Sequence, residues 1–138
     1  MKQSVPSKPF SVQIARWMSD KIADSIVIYN LAGLTSVADF FILCTAHSVT
    51  QSQALADHIL QKAATTFGES PLGIEGYANG RWILIDFGNA VAHIFCEEER
   101  HYYDLDGLWA DAPVIDPTTA EDSTPPARHS RKKQRTKP

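Results

Sequence analysis

The chain has 138 residues, 43% of them apolar, enough for one domain with its own core and too few for two full domains. Its net charge of −3 divides unevenly: residues 1–115 hold seven Lys/Arg against thirteen Asp/Glu, and residues 116–138 hold six against three. The acidic body excludes a domain that grips nucleic acid by a cationic face, no apolar run approaches the roughly 18 residues of a membrane helix, and two cysteines make neither a disulfide framework nor a four-cysteine zinc site.

Residues 1–9, with Pro6 and Pro9, read as a flexible lead-in, and residues 10–115 as the domain. Ile14, Trp17, Met18 and Ile22 lie at helical spacing and predict a first amphipathic helix. Ser25–Tyr29 is a β-branched run and predicts a strand. Leu31–Ser36 turns around Gly33, and Phe40–Thr45 is a second, almost wholly apolar strand. Ser48 offers an N-cap with Gln51 three residues on, the pattern of a capping box. The helix it opens carries Leu55, Ile59, Ala63 and Phe67 on one stripe and stops at Gly68. Three strands follow: Gly73–Tyr77, Arg81–Phe87 and Ala90–Cys96, with hairpin signals at Asn79-Gly80 and Gly88-Asn89. Glu97, Glu98 and Glu99 open a last helix that carries Tyr102, Leu105, Leu108 and Trp109, acids suiting the positive end of its dipole. The expected fold class is α/β, a mixed five-stranded sheet with three helices in the order αββαβββα. From Asp116 on, Pro, Thr, Ser and charges dominate, and residues 116–138 read as a disordered basic tail. Its run RHSRKKQRTK is either a solvated tail or an electrostatic tether to RNA.

The hairpin of residues 81–96 is the most informative segment. A two-residue turn at Gly88-Asn89 sets Trp82 opposite Phe95, Leu84 opposite His93 and Asp86 opposite Val91. Alternation then gathers Ile83, Ile85, Ala92 and Ile94 on one wholly aliphatic face, which must be core. The other face holds Trp82, Leu84, Asp86, Val91, His93 and Phe95. Three helices hardly cover both sides of a five-stranded sheet, so this face is expected to be partly open and to receive a partner. An exposed apolar face of this kind would also allow a weak homodimer. The alternative is that the first or last helix covers it.

Enzymatic readings find little support. Cys96 and His93 have opposite strand parity, and neither cysteine follows a feature that would lower its pKa. No pair of histidines at helical spacing brackets a glutamate, and Glu97–Glu99 point three ways, so no metal site is expected. No glycine-rich phosphate loop is present. Ala46-His47-Ser48, the nearest approach to a phosphate cradle, lacks the glycines. No cofactor is expected.

From Asp24 to Ile115 the chain resembles the ribosomal silencing factor family, the Iojap-like proteins. The matching pieces include Asp24-Ser-Ile-Val-Ile, Ser36-Val-Ala-Asp39-Phe-Phe-Ile-Leu and Pro71-Leu-Gly-Ile-Glu-Gly-Tyr77. Gly80-Arg-Trp-Ile-Leu-Ile-Asp-Phe-Gly88, His93-Ile-Phe95, Glu99-Arg-His-Tyr-Tyr-Asp-Leu105 and Leu108-Trp-Ala-Asp-Ala-Pro113 follow in order. The resemblance implies a nucleotidyltransferase-like α/β fold without that fold's catalytic acids. It implies a cytoplasmic, non-enzymatic regulator that binds the large ribosomal subunit through ribosomal protein number fourteen. Occupying that face would block joining of the small subunit and repress translation under nutrient limitation. The partner surface expected on this chain is Trp82, Leu84, Asp86 and His93, with Tyr77 and Phe95 at its margins. The basic tail is expected to touch ribosomal RNA nearby. The competing readings are a nucleotide-binding or catalytically active nucleotidyltransferase-like protein and an unrelated protein-interaction module. The absence of a long Arg- and Ser-rich transit segment suggests a bacterial rather than an organellar source.

Overall fold

The computed structural model describes residues 6–123. The basic run in residues 128–137 lies outside the described residues.

Helix α1 spans Ser7–Asp20 and so begins three residues before residue 10, where composition put the start of the domain. Pro9 sits in the first turn, where a missing N–H costs nothing. The amide of Phe10 donates to the carbonyl of Pro6 at 3.2 Å. At the other end Ala23 N–H returns to Met18 O (3.1 Å) and Ile22 N–H to Ser19 O (2.9 Å), a Schellman closure. This corrects the expectation for Ile22. It stands past the helix with φ +61° and is 75% exposed, because the closure needs a left-handed residue there.

Strands β1 (Asp24–Asn30) and β2 (Phe40–Ala46) form an antiparallel pair. Helix α2 spans Val49–Lys62 and loosens into a π turn over Ala63–Phe67 before the left-handed Gly68 ends it. Ser48 Oγ accepts the amide of Gln51 at 3.0 Å, as the capping pattern predicts. The reciprocal bond goes one residue further back, from His47 N–H to Gln51 Oε1 at 2.6 Å. Strand β3 is only Gly73–Glu75, β4 is Trp82–Asp86 and β5 is Ala90–Cys96. The hairpin signalled by Asn79-Gly80 forms, with β3 and β4 pairing antiparallel, but β3 stops at Glu75 and the turn is wider than two residues. A six-residue loop joins β3 to β4, closed by Gly80 N–H on Gly76 O at 2.8 Å. Gly76 has φ +80°, and its Cα faces the Trp82 carbonyl so closely that no side chain fits.

The β4–β5 register is the one expected: Trp82 pairs with Phe95, Leu84 with His93 and Asp86 with Val91. Strand β5 continues onto β2 in parallel, so the sheet is mixed, in the order β3-β4-β5-β2-β1 with two further strands beyond β1. The last two are additions of two residues each, β6 (Val114–Ile115) on β1 and β7 (Asp122–Ser123) on β6. The described structure therefore continues past Ile115, where composition put the end of the domain. This stretch is held mainly by polar bonds, with Ala120 packed against the core. The Arg16 guanidinium donates twice to Pro117 O (2.8 and 3.1 Å), and Asp116 Oδ1 accepts from Thr118 N–H and Oγ1.

Helices α1 and α2 cover one sheet face. There Ile42, Cys44, Ile83, Ile85, Ala92 and Ile94 are fully buried, as the alternation requires. On the other face the single last helix is replaced by two short ones, α3 (Glu97–Tyr103) and α4 (Leu105–Leu108). The break falls at Asp104, which takes φ +51° and caps α4 by accepting Gly107 N–H at 3.0 Å. Asp is among the few residues that tolerate this conformation.

Candidate partner-binding site

The second face is open at one end and closed at the other. A smaller cluster of Tyr29, Leu31, Leu43, Phe95 and Ala112 fills its β1–β2–β5 part, flanked by Phe41, Leu105 and Trp109. The expectation of an open face thus fails over β5, where Val91, His93 and Phe95 are all buried. It holds over β4, where Trp82, Leu84 and Asp86 are half-buried. The breaking of the last helix explains this split. Two short helices and the segment leading to β6 cover the centre of the sheet, and of its β3–β4 edge only the Trp82 end is touched, by Tyr103 of α3.

Trp82 is the centre of the open part. Its ring stacks on Phe95 (centroids 4.9 Å apart, 26° between planes) and leans on Tyr103 (4.6 Å). Its indole N–H donates to His93 Nδ1 at 3.1 Å. An indole N–H can only donate, so Nδ1 must accept and the imidazole proton resides on Nε2. Nε2 has no hydrogen-bond partner among the described residues. Burial pulls the His93 pKa down to about 4, so the ring is neutral at physiological pH.

Asp86 is committed locally as well. Its Oδ1 accepts the Gly88 amide at 2.8 Å and so closes the turn between β4 and β5. Tyr77 is not brought to this strip. Its hydroxyl donates to Asp57 Oδ1 at 2.9 Å on α2, the helix that packs on the opposite face. Two other residues join the strip instead. Tyr103, 49% exposed, extends it along α3, with the exposed Tyr102 against it edge-on. Glu75 pairs with Leu84 across β3 and β4, and with Gly76 and Trp82 they line a shallow depression of about 200 Å³. A second depression of about 300 Å³ lies between Glu98, Glu99, Tyr102 and Tyr103. The sequence signal for Tyr103 is its place in the Arg-His-Tyr-Tyr-Asp run. Glu75 follows only from the register of the short β3.

The surface is thus aromatic at its centre and acidic at its rim. Arg81 is drawn into the rim, since its guanidinium pairs with Glu99 and reaches Glu98 at 3.4 Å. The pairing holds the Glu99 carboxyl below the usual carboxylate range. An apolar centre with a polar margin is what a specific protein interface presents.

Other chemistry is poorly provided for. Burial pushes the Cys44 thiol up to about 12 and raises that of Cys96, so both are protonated at neutral pH and poor nucleophiles. A cleft of about 330 Å³ opens between the start of β1 and α3, lined by Asp24, His47, Arg100 and His101 among others. Arg100, however, is consumed at its floor. It bonds Asp106 through Nε (2.9 Å) and Nη2 (3.0 Å), and its Nη1 bonds Ser25 O and Thr45 Oγ1. Among the described residues no group of three or more His, Cys, Asp or Glu is arranged to hold a metal ion, and no helix is long and apolar enough to cross a membrane.

Comparison with known proteins gives this surface a context. The family model described as "Ribosomal silencing factor during starvation" matches residues 6–138. The ribosomal silencing factor RsfS of Halalkalibacterium halodurans is 43% identical over 99 residues, which is 72% of this chain and 84% of that one. The RsfS of Bacillus subtilis is 40% identical, over 70% of this chain and 81% of that one. An X-ray structure of a protein from Chromobacterium violaceum superposes with a TM-score of 0.73 at 30% identity, covering 76% of this chain and 87% of the other. A crystal structure from Bacillus halodurans gives 0.65 at 38% identity, covering 76% and 95%. The match runs through the β4–β5 hairpin and its flanking helices, and the chain belongs to the ribosomal silencing factor family.

Proposed function

We propose that this protein docks on the large ribosomal subunit through ribosomal protein number fourteen and so prevents the small subunit from joining. It acts as a non-enzymatic repressor of translation in the cytoplasm. The observation that carries the reading is the open aromatic strip of Trp82, Leu84 and Tyr103 on a chain whose relatives are named for silencing the ribosome. Trp82 is the apolar centre of the contact. The acidic rim of Glu75, Asp86, Glu98 and Glu99 complements a basic partner and steers its approach. The basic segment beyond Ser123 adds a contact to ribosomal RNA. In the absence of ribosomes the same strip pairs two copies weakly.

Co-sedimentation with isolated large subunits, with a subunit-joining assay alongside, tests this. The wild type is expected to pellet with large subunits and to inhibit joining. Trp82→Ala should lose about 2 kcal/mol of binding, roughly thirtyfold in affinity. A wild type that stays in solution sinks the ribosomal reading. Equal binding by both proteins puts the contact on another surface.

A further inference from the structure

The indole of Trp82 is half-exposed, yet the one polar atom it carries is turned inward onto a buried acceptor. His93 is 3% exposed and sits on the interior strand β5, between β4 and β2. Its ring is fixed from three sides. Phe41 lies 4.5 Å away, Phe95 stacks nearly parallel to it at 6.0 Å, and Trp82 lies at 6.0 Å. A neutral imidazole in this position offers one lone pair, at Nδ1, and the Trp82 N–H takes it. Without that bond the indole would keep its stack on Phe95 but could rotate about its side-chain torsions. With it, one rotamer of a half-exposed tryptophan is selected before any partner arrives. Preorganisation of this kind lowers the ordering cost that association otherwise meets.

We propose that His93 is a positioning residue of the docking surface. By accepting the Trp82 indole N–H it holds the ring against Phe95 and Tyr103 and presents only apolar indole surface to the partner. The partner atoms over Trp82 are then aliphatic or aromatic carbon, or a cation over the ring face, and not a hydrogen-bond acceptor reaching for the indole. The inference rests on the docking reading given above and deepens it.

The test compares wild type, His93→Phe, His93→Gln, Trp82→Ala, Trp82→Phe and the double variant Trp82→Phe/His93→Phe. Two readouts are taken: hydrogen exchange of the Trp82 indole N–H by NMR, and affinity for isolated large subunits. His93→Phe keeps an aromatic ring but removes the acceptor. The Trp82 N–H should then exchange faster, on the order of tenfold, and the affinity should fall about fivefold, the worth of one ordinary hydrogen bond. His93→Gln supplies an acceptor again and should recover much of both, which also covers the case in which His93→Phe fails to fold. In the Trp82→Phe background the His93 substitution should change the affinity little, because the donor is gone. Wild-type exchange as fast as that of a free indole overturns the proposal. So does a His93→Phe protein that frees the N–H yet binds as tightly as wild type while Trp82→Ala binds weakly, and the docking strip then still stands. If Trp82→Ala also binds like wild type, the docking reading itself has failed.

Discussion

Asp106 receives the Arg100 guanidinium through both carboxylate oxygens, at 2.9 and 3.0 Å, and accepts the Tyr29 hydroxyl at 2.7 Å as well. The group ties α3 and α4 to the start of the sheet, since Arg100 also bonds Ser25 O and Thr45 Oγ1. Only 13% of the Arg100 side chain and 26% of the Asp106 side chain are exposed. Asp106→Ala should destabilise the protein by about 2–4 kcal/mol, because it leaves a partly buried guanidinium without its counter-charge. Arg100→Lys keeps the charge but not the fork and should cost less. Urea unfolding at neutral pH measures both, and a loss below 1 kcal/mol for Asp106→Ala would show the network to be ornamental.

The burial of neutral His93 predicts a pH dependence of stability. Its folded pKa of about 4 lies below the ordinary 6.5. Between those values the unfolded chain holds a proton that the folded chain does not, so stability rises with pH there. The contribution is fully present above about pH 6.5 and declines as pH falls toward 4, by on the order of 3 kcal/mol. Thermal melts from pH 4 to 7 should therefore be flatter for His93→Phe than for wild type. Identical slopes would mean that the ring titrates normally.

Ile22 is a β-branched residue at φ +61° whose side chain makes no use of its position, being 75% exposed. Left-handed backbone disfavours such a side chain, and glycine or asparagine is the usual solution at this place in a helix closure. Ile22→Gly should raise stability by about 1 kcal/mol, seen as a higher urea midpoint with an unchanged slope.

Two glycines with similar φ should respond differently to alanine. Gly33 (φ +84°) has open space where a Cβ would go, whereas at Gly76 (φ +80°) a Cβ would overlap the Trp82 carbonyl. Gly33→Ala should cost about 1 kcal/mol from backbone strain alone. Gly76→Ala should cost distinctly more, and it should weaken ribosome binding because it displaces Trp82 itself.

Asp86 has two separable roles. Asp86→Asn keeps Oδ1 as acceptor for the Gly88 amide and removes the charge. Its stability should stay within about 0.5 kcal/mol of wild type. A fall in affinity with that stability unchanged assigns the charge to the partner contact, whereas unchanged affinity assigns Asp86 to the turn alone. For the basic segment, truncation after Ser123 is the proper deletion, because Pro117 and Ala120 belong to the packed structure. The truncated protein should bind ribosomes with a weaker dependence on salt.

Much of this architecture is legible in the sequence because strand alternation is a strong signal. The aliphatic set Ile83, Ile85, Ala92 and Ile94 could only face a core, and the Gly88-Asn89 turn set the register that the structure has. The Ser48 cap and the Gly68 stop were legible for the same reason: each satisfies backbone groups locally. What was not legible depends on contacts distant in sequence. The coverage of His93 and Phe95 follows from a helix broken at Asp104, and periodicity does not reveal an aspartate that adopts left-handed backbone. The short β3 and its six-residue loop reflect Gly76 pressed under Trp82, a tertiary demand that widened the turn signalled by Asn79-Gly80. The stretch after Ile115 is held by Arg16, 101 residues away from Pro117, which no composition window can register.

The order of the strands has a practical consequence. Trp82 lies on the second strand from one end of the sheet and Ser123 on the strand at the other end, five inter-strand steps away, or about 24 Å at ordinary spacing. A fluorophore or affinity handle attached after Ser123 therefore stands clear of the aromatic strip. A pair of dyes, one there and one on the ribosome, could report the orientation of the bound protein without touching the aromatic strip.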